Sequence, residues 1–146
     1  MVSQDKQMTG KIRLYISEDL SEGRNCSLIK SQHHYLRNVM RCQSGEPILV
    51  FNGRDGEWLA EISQIDKKAA VIQVRSKTRP QSFTPDIHVL FAPVKKTRLD
   101  YMVQKATEMG ATSLVPVMTQ YTQKTRLNYE RLKANMVEAA EQCNLL

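Results

Sequence analysis

The stretch IHVLFAPVKKTRLDYMVQKATEMGATSLVPV, Ile87 to Val117, holds two short apolar runs separated by a segment of a different period. IHVLFAP, Ile87 to Pro93, and SLVPV, Ser113 to Val117, are of strand length and apolar enough to be buried. Between them Leu99, Met102, Val103, Ala106 and Met109 recur along one face of a helix. Thr97-Arg98-Leu99-Asp100 resembles a capping box with Asp in the Glu position, and Gly110 stands where such a helix would stop. Strand, helix and strand in that order make a βαβ unit and hence a parallel sheet. A further helix starts near Asn128, with Leu132, Met136, Ala139, Ala140 and Cys143 on one face. A parallel sheet is stable when helices and further strands cover it. The expectation is therefore a chain that stops inside its second domain, with Leu145 and Leu146 left without packing partners.

Upstream, the pattern changes. SKTRPQSFTPD, Ser76 to Asp86, interrupts both periods with two prolines and small polar residues, and reads as a linker over 76–86. Before it, over 11–75, strands predominate. Ile12, Leu14 and Ile16 alternate with Lys11, Arg13 and Tyr15. PILVF, Pro47 to Phe51, enters the Asn52-Gly53-Arg54-Asp55-Gly56 turn, whose glycines and Asn suit positive φ. Trp58, Ala60 and Ile62 return, and Asp66-Lys67-Lys68 reverses the chain into AVIQV, Ala70 to Val74. This is an antiparallel meander, a curled sheet or barrel. One helix interrupts it, capped by Ser31 and ended by Ser44-Gly45, with Tyr35, Leu36, Val39 and Met40 as its apolar face. The fold class is α+β overall.

Composition narrows the function. The 146 residues carry 21 Lys plus Arg against 15 Asp plus Glu, a formal charge of +6, which favours an anionic partner such as nucleic acid. No apolar run approaches the length of a membrane span. Cys26, Cys42 and Cys143 are too few and too scattered for a disulfide framework and suit a reducing compartment. Residues 1–10 read as a loose polar tail of a cytoplasmic protein.

No Walker loop, G-x-G-x-x-G, nucleophile elbow or zinc signature occurs, and the spacing of Cys26, His33, His34 and Cys42 matches no zinc module, so no metal is expected. His33, Arg37 and Arg41 recur every four residues; with Arg54 they are either a phosphate-tracking row or a solvated face. Lys95, Lys96 and Arg98 crowd the end of a parallel strand, the edge at which open α/β sheets bind ligands. Lys105 and Glu108 are spaced for an intrahelical pair or for a site on the polar face beside Gln104.

QHHYLRNVMRCQSGEPILVFNGRDGEWLAEI (from Gln32), FAPVKKTRLDYMVQKATEMGATSLVPVMTQ (from Phe91) and EAAEQC (from Glu138) resemble the RsmE family, S-adenosylmethionine-dependent methyltransferases that modify N3 of a uridine in 16S ribosomal RNA. The resemblance implies a PUA-like β-barrel for RNA binding over 11–75, then over 87–146 the first part of a SPOUT α/β domain. It implies that the glycine-rich knot holding S-adenosylmethionine lies downstream of Leu146, so that these residues alone are inactive and truncated. Carried over residue by residue, it implies RNA contacts at His34, Arg37, Arg41, Asn52 and Arg54, and places Lys105, Glu108, Glu141 and Gln142 near the catalytic end. Glu108 is the candidate for handling the base. Gln120-Tyr121 stands where many relatives have an acidic residue followed by Arg, with Arg126 as a substitute. The implied partners are 16S rRNA or the small ribosomal subunit, with no membrane, and the full-length protein is expected to be a homodimer. The alternative is a non-catalytic PUA-like RNA-binding module.

Overall fold

The computed structural model describes residues 12–83, 85–122 and 126–146; the expected tail over 1–10, Lys11 and Thr84 of the expected linker lie outside them. The chain divides into two compact units, the first reaching Ser82 and the second spanning Phe83–Leu145.

In the first unit β1 (Arg13–Tyr15), β2 (Asn25–Ser27), β3 (Pro47–Phe51), β4 (Glu57–Ile65) and β5 (Ala70–Arg79) form one sheet in the order β1-β3-β4-β5-β2. The β3-β4-β5 meander is antiparallel, whereas β1 joins β3 in parallel. Three register shifts interrupt the β4–β5 ladder, and bulges of this kind bend and twist a strand into a curled half-barrel. The alternating apolar residues face inward: Ile48 and Val50, Ala60 and Ile62, Ile72 and Val74 are all at 0% exposure. Leu14, Cys26, Leu36 and Cys42 complete that core.

Two details of the sheet depart from the sequence pattern, the length of β5 and the role of Asn52 in its turn. β5 runs on to Arg79, with Lys77 opposite Trp58 and Arg79 opposite Glu57, so the expected linker begins as strand. The two glycines of the 52–56 turn take positive φ, 78° at Gly53 and 84° at Gly56. Asn52 contributes hydrogen bonds instead: its Oδ1 accepts from the N–H of Arg54 at 3.0 Å and of Asp55 at 2.8 Å.

The helix differs most. α1 (Lys30–His34) starts after Ile29 and not after Ser31, because Gln32 Oε1 accepts from the Ile29 N–H at 3.3 Å. It then widens into a π-helical turn, Tyr35–Val39, in which the Met40 N–H donates to Tyr35 O at 2.9 Å. One residue more per turn rotates the side chains that follow. Leu36 alone is buried, while Tyr35, Val39 and Met40 of the expected apolar face are 39%, 58% and 41% exposed. The helix ends at Arg41 in the left-handed region, φ 56°, several residues before Gly45.

The second unit has the βαβ form: β6 (His88–Phe91), α2 (Lys96–Glu108) and β7 (Ser113–Pro116), with β6 and β7 parallel, then α3 (Tyr129–Gln142). Phe91, Leu99, Val103 and Leu132 form its core, with Met102, Leu114, Leu127 and Met136 against them. Gly110 ends α2 at φ 87°, and Asn128 Oδ1 caps α3 by accepting from the Arg131 N–H at 3.1 Å. The Thr97 capping box does not form, because Lys95 is the cap and the helix has begun by Lys96. Asp100 serves α3 instead, meeting Arg131 Nη2 at 3.1 Å and accepting from Asn135 Nδ2 at 3.2 Å. Cys143, expected on the packed face of α3, is exposed.

Candidate nucleic-acid interface

α1 is held on two sides. Gln32 Nε2 donates to Tyr15 O at 2.7 Å, and His33 Nε2 lies 2.8 Å from Asp66 O in the β4–β5 turn. The second contact sets Lys67 and Lys68 beside the helix. Asp66 organises that turn: its Oδ1 accepts from the N–H of Lys68 at 2.7 Å and of Ala69 at 3.0 Å, and Gln64 Nε2 donates to Oδ2. These donors, the two backbone N–H groups first, lower its pKa to about 2.

From Leu28 to Gly45 the sequence contains no Asp or Glu, and within it His34 and Arg41 are exposed and Arg37 is half-buried. The ion pairs among the described residues involve none of Lys30, Arg37, Arg41, Lys67 and Lys68. The π-helical turn breaks the four-residue spacing of His33, Arg37 and Arg41, so they do not make a continuous helical row.

The other two expected contacts in this unit differ: Asn52 is engaged within the fold, whereas Arg54 lies in an exposed ion pair. Asn52 is only 4% exposed; besides its two acceptor bonds, its Nδ2 donates to Glu18 O at 3.0 Å and to Asp55 Oδ2 at 2.6 Å. A side chain so engaged offers nothing to a ligand. Arg54 Nη2 pairs with Asp19 Oδ1 at 2.8 Å and reaches Ser17 O, tying its turn to the loop after β1.

Sequence reasoning missed the strongest electrostatic cluster. Glu57, 4% exposed, receives Arg13 Nε at 2.7 Å, Arg79 Nη2 at 2.8 Å and Nε at 3.0 Å, and Thr78 Oγ1 at 3.0 Å. Burial pushes its pKa up, but the donors from Arg79, Arg13 and Thr78 outweigh burial and leave it lowered. Strand alternation assigned Arg13 to the wet face; it is buried against Glu57 and over the Phe51 ring, 4.2 Å from its centroid.

In the second unit Lys95, Lys96 and Arg98 are exposed at the start of α2, whose first turn has no acidic residue. Lys105 Nζ meets Glu108 Oε2 at 2.7 Å, and Gln104 Nε2 donates to Oε1 at 2.9 Å. The Lys105 bond, foremost, holds the Glu108 carboxyl below its ordinary pKa. In this arrangement the Glu108 carboxylate is an ion-pair and hydrogen-bond partner of Lys105 and Gln104. Glu141 is half-buried, and Gln142 Nε2 lies 3.5 Å from Glu138 Oε1. Gln120, Tyr121 and Arg126 are exposed.

A cleft of about 250 Å³ between α2 and α3 is lined by Asp100, Tyr101, Gln104, Asn135, Glu138 and Ala139. Pockets for ligands of cofactor size typically enclose about 300–1,000 Å³ with mostly apolar walls. This cleft is small and polar beside such pockets. Among the described residues no three His, Cys, Asp or Glu side chains cluster at ligating range, and no helix is long and apolar enough to cross a membrane.

Comparison with known proteins agrees with this two-unit geometry. Residues 28–75 match the RNA methyltransferase PUA domain, and residues 81–146 match the RNA methyltransferase domain. The ribosomal RNA small subunit methyltransferase E of Rickettsia conorii is 30% identical over 135 residues, which are 92% of this chain and 55% of that protein. The chain thus spans about half the length of the curated relatives it matches. Among solved structures, the Neisseria gonorrhoeae ribosomal RNA small subunit methyltransferase E bound to S-adenosyl methionine superposes with a TM-score of 0.81, at 24% identity over 92% of this chain and 57% of that one. A Legionella pneumophila methyltransferase in complex with the same cofactor gives 0.80 at 23% identity, over 92% of this chain and 58% of the other. These two establish the fold. With both units matched in order by the RNA methyltransferase PUA domain and the RNA methyltransferase domain, the chain carries two domains of the RNA methyltransferase kind and is similar to the ribosomal RNA small subunit methyltransferase E proteins.

Proposed function

We propose that these residues are the RNA-holding part of an enzyme that methylates N3 of a uridine in 16S rRNA, using S-adenosylmethionine, in the cytoplasm. The observation that carries this reading is that Lys30, Arg37 and Arg41 make no ion pair among the described residues and lie in the unit that matches the RNA methyltransferase PUA domain. Uracil N3 carries a proton and lies on the pairing edge, so the base must be unpaired before it reacts, at a cost of a few kcal/mol. The first unit would hold the RNA backbone during that step, with Lys95, Lys96 and Arg98 as a second set of phosphate contacts. The donor would be bound by residues of the family's length that this chain does not span, and dimerisation belongs to that longer form. By themselves residues 12–146 would bind RNA and transfer no methyl group.

The test sets this chain beside a longer one of the relatives' full length, with unmethylated small-subunit RNA and labelled donor. Transfer by the longer chain alone, at a uridine that then blocks reverse transcription because its pairing edge is methylated, is the expected result. Donor binding in neither would favour a plain RNA-binding module.

A further inference from the structure

We infer that Arg79 and Gln81 are positioning residues for the proposed methyl transfer: clamped on Glu57 and Gly56, they keep the tether between the RNA-holding unit and the methyl-transferring half short. This rests on the reading of the first unit as RNA-holding and adds to it how the held RNA is kept within reach of the chemistry. The clamp has two parts. At Glu57, Arg79 sets Nη2 at 2.8 Å and Nε at 3.0 Å from the carboxylate, and Thr78 Oγ1 donates to it at 3.0 Å. Arg13 Nε holds the same carboxylate from the buried side at 2.7 Å, so Glu57 is a fixed anchor. At Gly56 the N–H donates to Gln81 Oε1 at 3.2 Å, and the crossing chain is so close that a Cβ there would stand 2.3 Å from Arg79 O and 3.0 Å from Pro80 C. The strand ladder does not account for this hold by itself. A register shift separates the Glu57–Arg79 pair from the Trp58–Lys77 pair, and a bulge of that kind disrupts the ladder locally. Side chains secure the last pair beyond it.

The second unit is moored in the same way at its own start. Asp86 Oδ1 accepts from Thr112 Oγ1 at 3.0 Å, and Ile87 O accepts from the Thr112 N–H at 2.9 Å, which ties the chain to the loop before β7. Residues 82–85 lie between the two moorings, and the first unit ends at Ser82. The length of a tether sets the effective concentration of one half near the other, which falls as about the −3/2 power of that length. Opening the clamp back to Thr78 doubles the span, from residues 82–85 to 78–85, and lowers that concentration about threefold. RNA held by the first unit then meets the transferring half less often, although it is held as well as before.

The experiment takes an enzyme of the relatives' full length, unmethylated small-subunit RNA at saturating concentration and labelled donor, and reads single-turnover transfer. Arg79→Ala with Gln81→Ala should lower the rate about threefold and raise amide hydrogen exchange over residues 78–81. Arg79→Lys, which keeps a cation on Glu57, should retain the rate. A glycine-serine insert after Ser82, as long as the stretch from Thr78 to Gln81, lengthens the tether with the clamp intact and should also lower the rate about threefold; it decides the matter even where the double variant fails to fold. An unchanged rate in the insert or in the folded double variant, or a loss confined to RNA affinity, would overturn the positioning role and spare the RNA-holding reading. Unaltered exchange over 78–81 in the double variant would overturn the clamp. An unaltered enzyme that transfers no methyl group would remove both readings together.

Discussion

Arg13 Nε and Glu57 Oε2 meet at 2.7 Å with both side chains only 6% exposed, joining edge strand β1 to the start of β4 across β3. Breaking a buried pair by neutralising one member is costly, because the other charge stays in a low-dielectric site. Glu57→Gln is expected to destabilise the first unit by about 3 kcal/mol. The chain's one tryptophan, Trp58, lies in that unit, so denaturant unfolding followed by its fluorescence measures the loss directly.

Gly56 sits at φ 84°, and a Cβ there would stand 2.3 Å from the Arg79 carbonyl oxygen and 2.9 Å from the Gln81 nitrogen. Both obstacles are backbone and cannot swing aside. Gly56→Ala should cost at least the 1–3 kcal/mol of a left-handed non-glycine residue, with the clash in addition. The equivalent change at Gly53, where nothing lies within 4 Å, should cost only the conformational part. Comparing the two unfolding midpoints separates crowding from torsion.

Asp66 has its pKa lowered to about 2, so it binds its proton more weakly in the folded chain than in the unfolded one. Its charge contributes stability that is complete above the unfolded value, roughly pH 4, and is lost as pH falls through about 2. Asn in its place still accepts from the turn's N–H groups but does not titrate. The stability difference between the chain and Asp66→Asn should therefore be constant near neutrality and shrink between pH 4 and pH 2, as read by unfolding at a series of pH values.

Arg37→Ala with Arg41→Ala should lower RNA affinity and flatten its dependence on salt by about one unit or more of log–log slope, since each phosphate contact releases counterions. An unchanged slope in titrations at several salt concentrations would return both residues to a solvated face.

Glu108→Gln, made in an enzyme of the relatives' full length, should reduce methyl transfer by less than about tenfold. A general base contributes about 10²–10⁴, and this carboxylate is occupied by Lys105 and Gln104. Single-turnover rates are the measurement; a loss of a hundredfold or more would give Glu108 a chemical role.

Much of the architecture was legible because apolar period maps onto burial. Ile48, Val50, Ala60, Ile62, Ile72 and Val74 alternate and are buried, and Leu99, Val103 and Leu132 fall on the helical faces that the spacing assigned. What failed was whatever depends on distant partners. Arg13 was read as a wet residue because nothing near it in sequence announces Glu57, 44 positions away. β2 went unrecognised because three residues, Asn25–Ser27, with one buried side chain carry no period. The apolar face of α1 was misjudged because a spacing rule assumes one helical pitch, and the chain changes pitch at Tyr35. For the site, clustering of cations was readable and their state of pairing was not: Arg54 is tied down by Asp19 while Arg37 and Arg41 are not.

The π-helical turn makes segment length a determinant of recognition. Its two ends are moored, Gln32 to Tyr15 O of β1 and Cys42 by burial in the core of the first unit, so the number of residues between them dictates which way each one faces. Removing a single residue there, Asn38 for instance, would restore ordinary pitch and swing every later position by about a quarter turn or more. Two homologues alike in composition but unequal by one residue in this span would accordingly show their nucleic acid different faces, and an alignment gap there would mark a change of specificity.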